Sequence, residues 1–151
     1  MFRVIVNSGI PSDIIPGEAI TIDEPNQKVT IDLKKMLIPH RDNYEIWIPE
    51  IPSTGSMKPT FGAGNNNIYI KPKTDVDKAR FLSWISNEVD IGKDNVVTYY
   101  GQMGHIVHRL IQKGSDRLGT YFKFRGDKNL SADPEKVRES QIQYLSIGSI
   151  F

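Results

Sequence analysis

Hydrophobic positions along the 151-residue chain recur mostly with period two, the pattern of strands with one buried face. Phe2–Val6, Ala19–Ile22, Val29–Leu33 and Tyr44–Ile48 are short runs rich in Ile, Val and aromatic residues, which suit a pleated, half-buried backbone. Pro11, Pro16, Pro25, Pro39 and Pro49 cut between them. Proline has no N–H to give a ladder, so these strands are predicted to be short or to lie at edges. Residues 1–50 are therefore expected to form a β-rich N-terminal arm or extension. Asn67–Lys71 alternates cleanly, and Val96–Tyr100, Ile106–Ile111, Tyr121–Phe124 and Gln141–Ile147 read as four more strands, with a hairpin turned over Gly114–Gly119.

One stretch breaks the alternation. Val76, Ala79, Phe81, Leu82, Ile85 and Val89 follow helical spacing, Thr74 and Asp77 resemble a capping box, and Gly92 stands past the end. These features predict one helix over 74–90. The expected fold is thus mostly β with a single helix, an extension at 1–50 preceding a domain at 51–151.

Composition narrows the possible chemistry. A chain of this length can bury a core without covalent staples, and the absence of cysteine excludes disulfides and thiolate catalysis. Nineteen basic against eighteen acidic residues leave a net charge of +1, too little to steer nucleic acid or anionic lipid. Nucleic acid is not expected as a partner, nor is a direct membrane anchor. No apolar run approaches the ~20 residues of a membrane span, and Met1–Ser8 lacks a signal-peptide core. A cytoplasmic location, or one within a soluble assembly, is the expectation. Three histidines and scattered carboxylates show no metal-ligand spacing, and no glycine-rich phosphate loop is present, so no metal or cofactor is expected.

The candidate chemistry starts at Gly55-Ser56-Met57-Lys58-Pro59. A serine hydroxyl is a weak nucleophile until an adjacent base takes its proton. Histidine suits that task, and His108 lies on the alternating strand Ile106–Leu110. Glycine before Ser56 admits close backbone approach, and Pro59 stiffens the turn behind it. A carboxylate on the second ring nitrogen would fix the tautomer. Asp127, in the turn Arg125-Gly126-Asp127-Lys128-Asn129, and Asp133, before Pro134, are the candidates. The Ser56 N–H with the Thr54 hydroxyl would serve a tetrahedral oxyanion, each such donor being worth about 3–4 kcal/mol of barrier. His105 falls on the opposite face of a regular strand from His108. His40 has no partner motif and reads as a surface residue.

Taken in order, GSMKP, IVHRL, RGDKN and the following Asp133 resemble the type I signal peptidase superfamily. The likeness is strongest to its archaeal and endoplasmic-reticulum branch, known for a G-S-M-x-P box, an (I/V)-x-H-R-V strand and a K-G-D-N-N turn followed by an aspartate. Asp94–Tyr100 is similar to that family's G-D-V-V-x-Y strand, and the resemblance spans about residues 53–148. It implies Ser56 as nucleophile, His108 as general base, Asp127 or Asp133 as the residue orienting that base, and Thr54 in place of an oxyanion-holding serine. It also implies a serine endopeptidase acting on a protein or peptide substrate. The chain departs from the family in showing no membrane anchor, so a soluble substrate or an anchoring partner subunit is implied. The 74–90 helix reads as an insertion that shapes a groove or docks a partner.

An alternative class is a catalytically inactive peptidase-like domain serving as a structural or assembly component of a larger complex, a virion among them. The missing anchor, the proline-rich arm and the apolar tail Ile147–Phe151 motivate it. A self-cleaving repressor shares the serine motif, but it needs a lysine base and a helical DNA-binding domain, and residues 1–50 read as β.

Overall fold

A computed structural model of the chain describes residues 4–6, 20–32, 43–48, 55–60, 66–87 and 96–150. The described residues form nine strands and one α-helix: β1 (Val4–Val6), β2 (Ile20–Asp23), β3 (Lys28–Ile31), β4 (Tyr44–Trp47), β5 (Asn66–Pro72), α1 (Asp75–Asn87), β6 (Val96–Gly101), β7 (Gly104–Asp116), β8 (Gly119–Arg125) and β9 (Ile142–Ile150). The chain is mostly β with one helix among the described residues.

Seven strands form one sheet in the order β4-β5-β9-β6-β7-β8, with β1 also on β9. Every pairing is antiparallel. β9 organises the sheet. β5 runs along one edge, while β6 (against Ile142–Leu145) and β1 (against Gly148–Ile150) share the other. β2 and β3 form a separate hairpin. Two strands from the first fifty residues, β1 and β4, therefore pair into the same sheet as the strands of 51–151.

The core follows from strand alternation. Val97 and Tyr99 of β6, Phe122 and Phe124 of β8, and Ile68 and Ile70 of β5 all project into one cluster with Leu110, Ile142 and Leu145. Each such side chain contributes about 1.5–3 kcal/mol when removed from water. α1 covers this face with Phe81 and Ile85, and Phe81 meets Tyr44 of β4 at 5.7 Å between ring centroids. The helix begins where the sequence indicates. The Thr74 hydroxyl oxygen accepts the Asp77 N–H at 3.2 Å, and the hydroxyl donates to the Asp77 carboxylate at 2.7 Å. Residues 88–95 lie outside the described segments, so the expected continuation to residue 90 and the role of Gly92 do too.

Two expected boundaries move. β7 runs to Asp116 and β8 starts at Gly119, leaving Arg117-Leu118 as a two-residue turn. Gly114 is thus a strand residue, not a turn residue. It faces Tyr121, whose ring would stand 2.5 Å from a Cβ placed at residue 114. Glycine there makes room for an aromatic cross-strand neighbour. The register between β7 and β8 shifts at Leu110/Gln112, a bulge of the kind that bends a strand and raises its local twist.

Candidate active site

β6 and β7 set the first member of the site. Their register puts Val97 opposite His108 and Tyr99 opposite Ile106. His108, Tyr99 and Val97 therefore share the core-facing side, and Val96, Val107 and Arg109 face the other way. His108 is buried. His105, on the opposite face as expected, is exposed and stands edge-on to Tyr100. His40 lies outside the described residues.

Ser56 sits in the turn of residues 55–60. Gly55 precedes it at φ 70°, in the left-handed region that glycine alone adopts without strain. The turn closes with the Lys58 N–H donating to the Gly55 carbonyl at 3.2 Å. Met57, the residue after the serine, is buried against Val96 and Val107. That contact fastens the turn to one face of the β6–β7 pair while Ser56 meets the histidine. The Lys128 N–H donates to the Ser56 carbonyl at 2.9 Å, tying the turn to the segment after β8.

These elements bring Ser56 Oγ to 3.0 Å from His108 Nε2, and Asp133 Oδ2 to 2.7 Å from His108 Nδ1. The protonation pattern follows from the partners. An ionised carboxylate only accepts, so Nδ1 carries the proton in the neutral ring. Nε2 is then the acceptor, and the Ser56 hydroxyl donates to it. The alcohol is thus hydrogen-bonded to a base whose other nitrogen is oriented by a carboxylate, the arrangement needed for nucleophile activation.

Asp133 is positioned in turn. The Tyr99 hydroxyl donates to the same Oδ2 at 2.7 Å. Burial, then the hydrogen bond and charge of Asp133, push the Tyr99 phenol well above the ordinary tyrosine range, which keeps it a donor. The Asp133 N–H donates to the Phe124 carbonyl at 2.8 Å. The Lys123 ammonium donates to the carbonyls of Asp133, Pro134 and Glu135 at 2.6, 3.1 and 3.1 Å. One cation thereby holds three consecutive peptide groups of the loop that presents the carboxylate.

Asp127 is placed differently. Its carboxylate takes two hydrogen bonds from Arg109, from Nε and one terminal nitrogen, each 2.7 Å, and a third from the Thr60 hydroxyl. Burial opposes its charge, but the Arg109 and Thr60 hydrogen bonds prevail and hold its carboxyl below the ordinary carboxylate range. Of the two aspartates that the resemblance offers, Asp133 contacts His108. Asp127 instead joins the end of the Ser56 turn to the strand that carries the histidine, acting from the opposite face. Thr54 lies outside the described residues, and the Ser56 N–H belongs to the turn just described.

Tyr99, Lys123 and Gly126 are site residues that the sequence reading did not single out. Tyr99 had a signal: alternation from His108 across the β6–β7 pair puts it on the same face. Gly126 is tightly enclosed. A Cβ there would stand 2.7 Å from the Ser56 carbonyl oxygen and 2.9 Å from His108 Nε2. Among the described residues, no group of three or more His, Asp or Glu side chains is placed to hold a metal ion, and no helix is long and apolar enough to cross a membrane.

Comparison of the chain with protein-family models, with curated proteins and with solved structures finds no match in any of the three.

Proposed function

We propose that the chain is a serine endopeptidase of signal-peptidase-like type, acting on a protein or peptide through Ser56, His108 and Asp133. The observation that carries this reading is the continuous hydrogen-bonded line from Ser56 Oγ through the His108 ring to Asp133 Oδ2, with links of 3.0 and 2.7 Å. A fortuitous serine–histidine contact does not require a carboxylate that the Tyr99 hydroxyl also holds, on a loop whose carbonyls Lys123 binds.

In the proposed reaction, Ser56 Oγ attacks the scissile carbonyl carbon as its proton passes to His108 Nε2. Asp133 stabilises the imidazolium without taking the proton. The tetrahedral adduct collapses with cleavage of the C–N bond, and His108 returns the proton to the leaving amine. Water then attacks the acyl-serine ester, giving its proton to His108. The carboxylic acid product departs, and the Ser56 hydroxyl regains the proton. The Ser56 N–H would meet the oxyanion, with Thr54 as the second donor that the resemblance implies.

The test is hydrolysis of an unbiased peptide pool, followed by mass spectrometry. Ser56→Ala is expected to lose cleavage entirely while its circular dichroism and melting temperature stay those of the wild type. Cleavage that persists in Ser56→Ala, or a wild-type chain that cuts nothing in the pool or in itself, overturns the reading.

A further inference from the structure

A cavity of about 360 Å³ adjoins the candidate site. It is bordered by His108 and Asp133, but not by Ser56. In a serine peptidase the acyl part of the substrate stays on the nucleophile, and the base hands its proton to the departing amine. A cavity that reaches the histidine without touching the serine is open to residues away from the acylated carbonyl, those on the leaving side of the scissile bond among them.

Its walls state what it would take. Tyr99, Met103, Ile106 and Pro134 supply an apolar surface. Met103 is 93% exposed at the tip of the β6–β7 hairpin, an adaptable side chain with little packed over it. Among the described residues, the remaining lining groups are Gln102 and Glu135, with no lysine or arginine. Asp133 is engaged by His108 and Tyr99. Glu135 differs. Among the described residues no side chain forms a hydrogen bond or ion pair with its carboxylate, which lies over Gly101 where a Cβ would collide with it. An apolar trough with one carboxylate that no described side chain engages matches a side chain with an aliphatic stem and a cationic head.

We propose that this cavity is a leaving-side specificity pocket that selects lysine or arginine, with the stem against Met103 and Ile106 and the charge at Glu135. The proposal rests on the peptidase reading of Ser56 and His108, and two measurements separate the fates of the two ideas. In the first, the Ser56→Ala chain with methyl-labelled methionines is titrated with free-amine tripeptides, which mimic the departing fragment. They carry lysine, leucine or glutamate at the first or second position. The lysine peptide is expected to shift the Met103 methyl signal at roughly tenfold lower concentration than its glutamate counterpart, and Glu135→Gln to erase that difference. Equal responses, or a lysine preference that survives Glu135→Gln, overturn the pocket's chemistry even where the chain proves to be a peptidase.

In the second, wild-type cleavage rates are compared across substrates varied on the leaving side. A kcat/KM ratio of roughly tenfold for lysine over glutamate is expected at one position, lost in Glu135→Gln and inverted in Glu135→Lys. A flat profile overturns the proposal. Absence of any cleavage overturns the peptidase reading and with it the leaving-side assignment.

Discussion

Replacing Gly126 with alanine adds one methyl group between the Ser56 turn and the His108 ring. The new Cβ would stand 2.7 Å from the Ser56 carbonyl oxygen and 2.9 Å from both His108 Nε2 and Asn129 Nδ2. Ordinary contact needs about 3.5 Å, so these atoms must give way by roughly half an ångström or more. The Ser56 carbonyl has no slack to share, since the Lys128 N–H holds it at 2.9 Å. The His108 ring is pinned from its far side by Asp133 at 2.7 Å. The interaction left to yield is the 3.0 Å contact between Ser56 Oγ and Nε2, and at about 3.6 Å it ceases to be a hydrogen bond. Overpacking of this kind costs about 1–3 kcal/mol, or a melting temperature lower by about 3–10 °C in a domain of this size. Misplacement on an ångström scale removes about 10²-fold in rate. Acylation of Ser56 by an activated ester, read beside thermal unfolding, checks both numbers without knowledge of the natural substrate. A Gly126→Ala protein that acylates at the wild-type rate and melts at the wild-type temperature would refute the close approach of turn, histidine and loop.

Other substitutions separate the roles of neighbouring groups. Asp133→Asn should preserve the fold while lowering kcat by roughly 10³–10⁴-fold, because the amide no longer enforces the productive tautomer. Asp127→Ala should instead lose about 3–5 kcal/mol of stability, since it leaves the largely buried Arg109 guanidinium without its carboxylate; urea titration and the peptide assay together distinguish the two patterns. Lys123→Met should reduce activity while shifting the urea midpoint by only about 1 kcal/mol equivalent, as the Asp133–Glu135 carbonyls lose their common donor. Acid should weaken the fold through Asp127. Its folded carboxyl titrates below the unfolded value, so its stabilisation is complete above about pH 4 and disappears as pH falls through the lower folded value. Calorimetry over that range should show a shallower decline in Asp127→Asn than in the wild type.

Much of this fold could be read along the chain because its signals are local. Period-two runs mark β5, β6, β7 and β8, and the Thr74–Asp77 pair marks the start of α1. What a linear reading leaves open is non-local. Nothing in Gln141–Ile147 indicates a strand that carries β5 on one edge and both β6 and β1 on the other. The choice between Asp127 and Asp133 also needed the fold. Asp127 follows Gly126 and Asp133 precedes Pro134, both turn contexts, and spacing does not say where a loop carboxylate points. One clue was present: Arg109 follows His108 and so faces away from it, making a carboxylate paired with Arg109 a poor partner for His108. The dyad contact of Ser56 and His108 joins positions 52 residues apart, which no local pattern specifies. The motif resemblance supplied that expectation.

The segment from Gly126 to Asp133 touches the alcohol's turn at one end, through the Lys128 amide, and the imidazole at the other, through the Asp133 carboxylate. Midway along it, Asp127 grips Arg109 of the strand that carries the histidine. This one short span thereby links all three members of the relay, and anything that displaces it acts on every one of them at once.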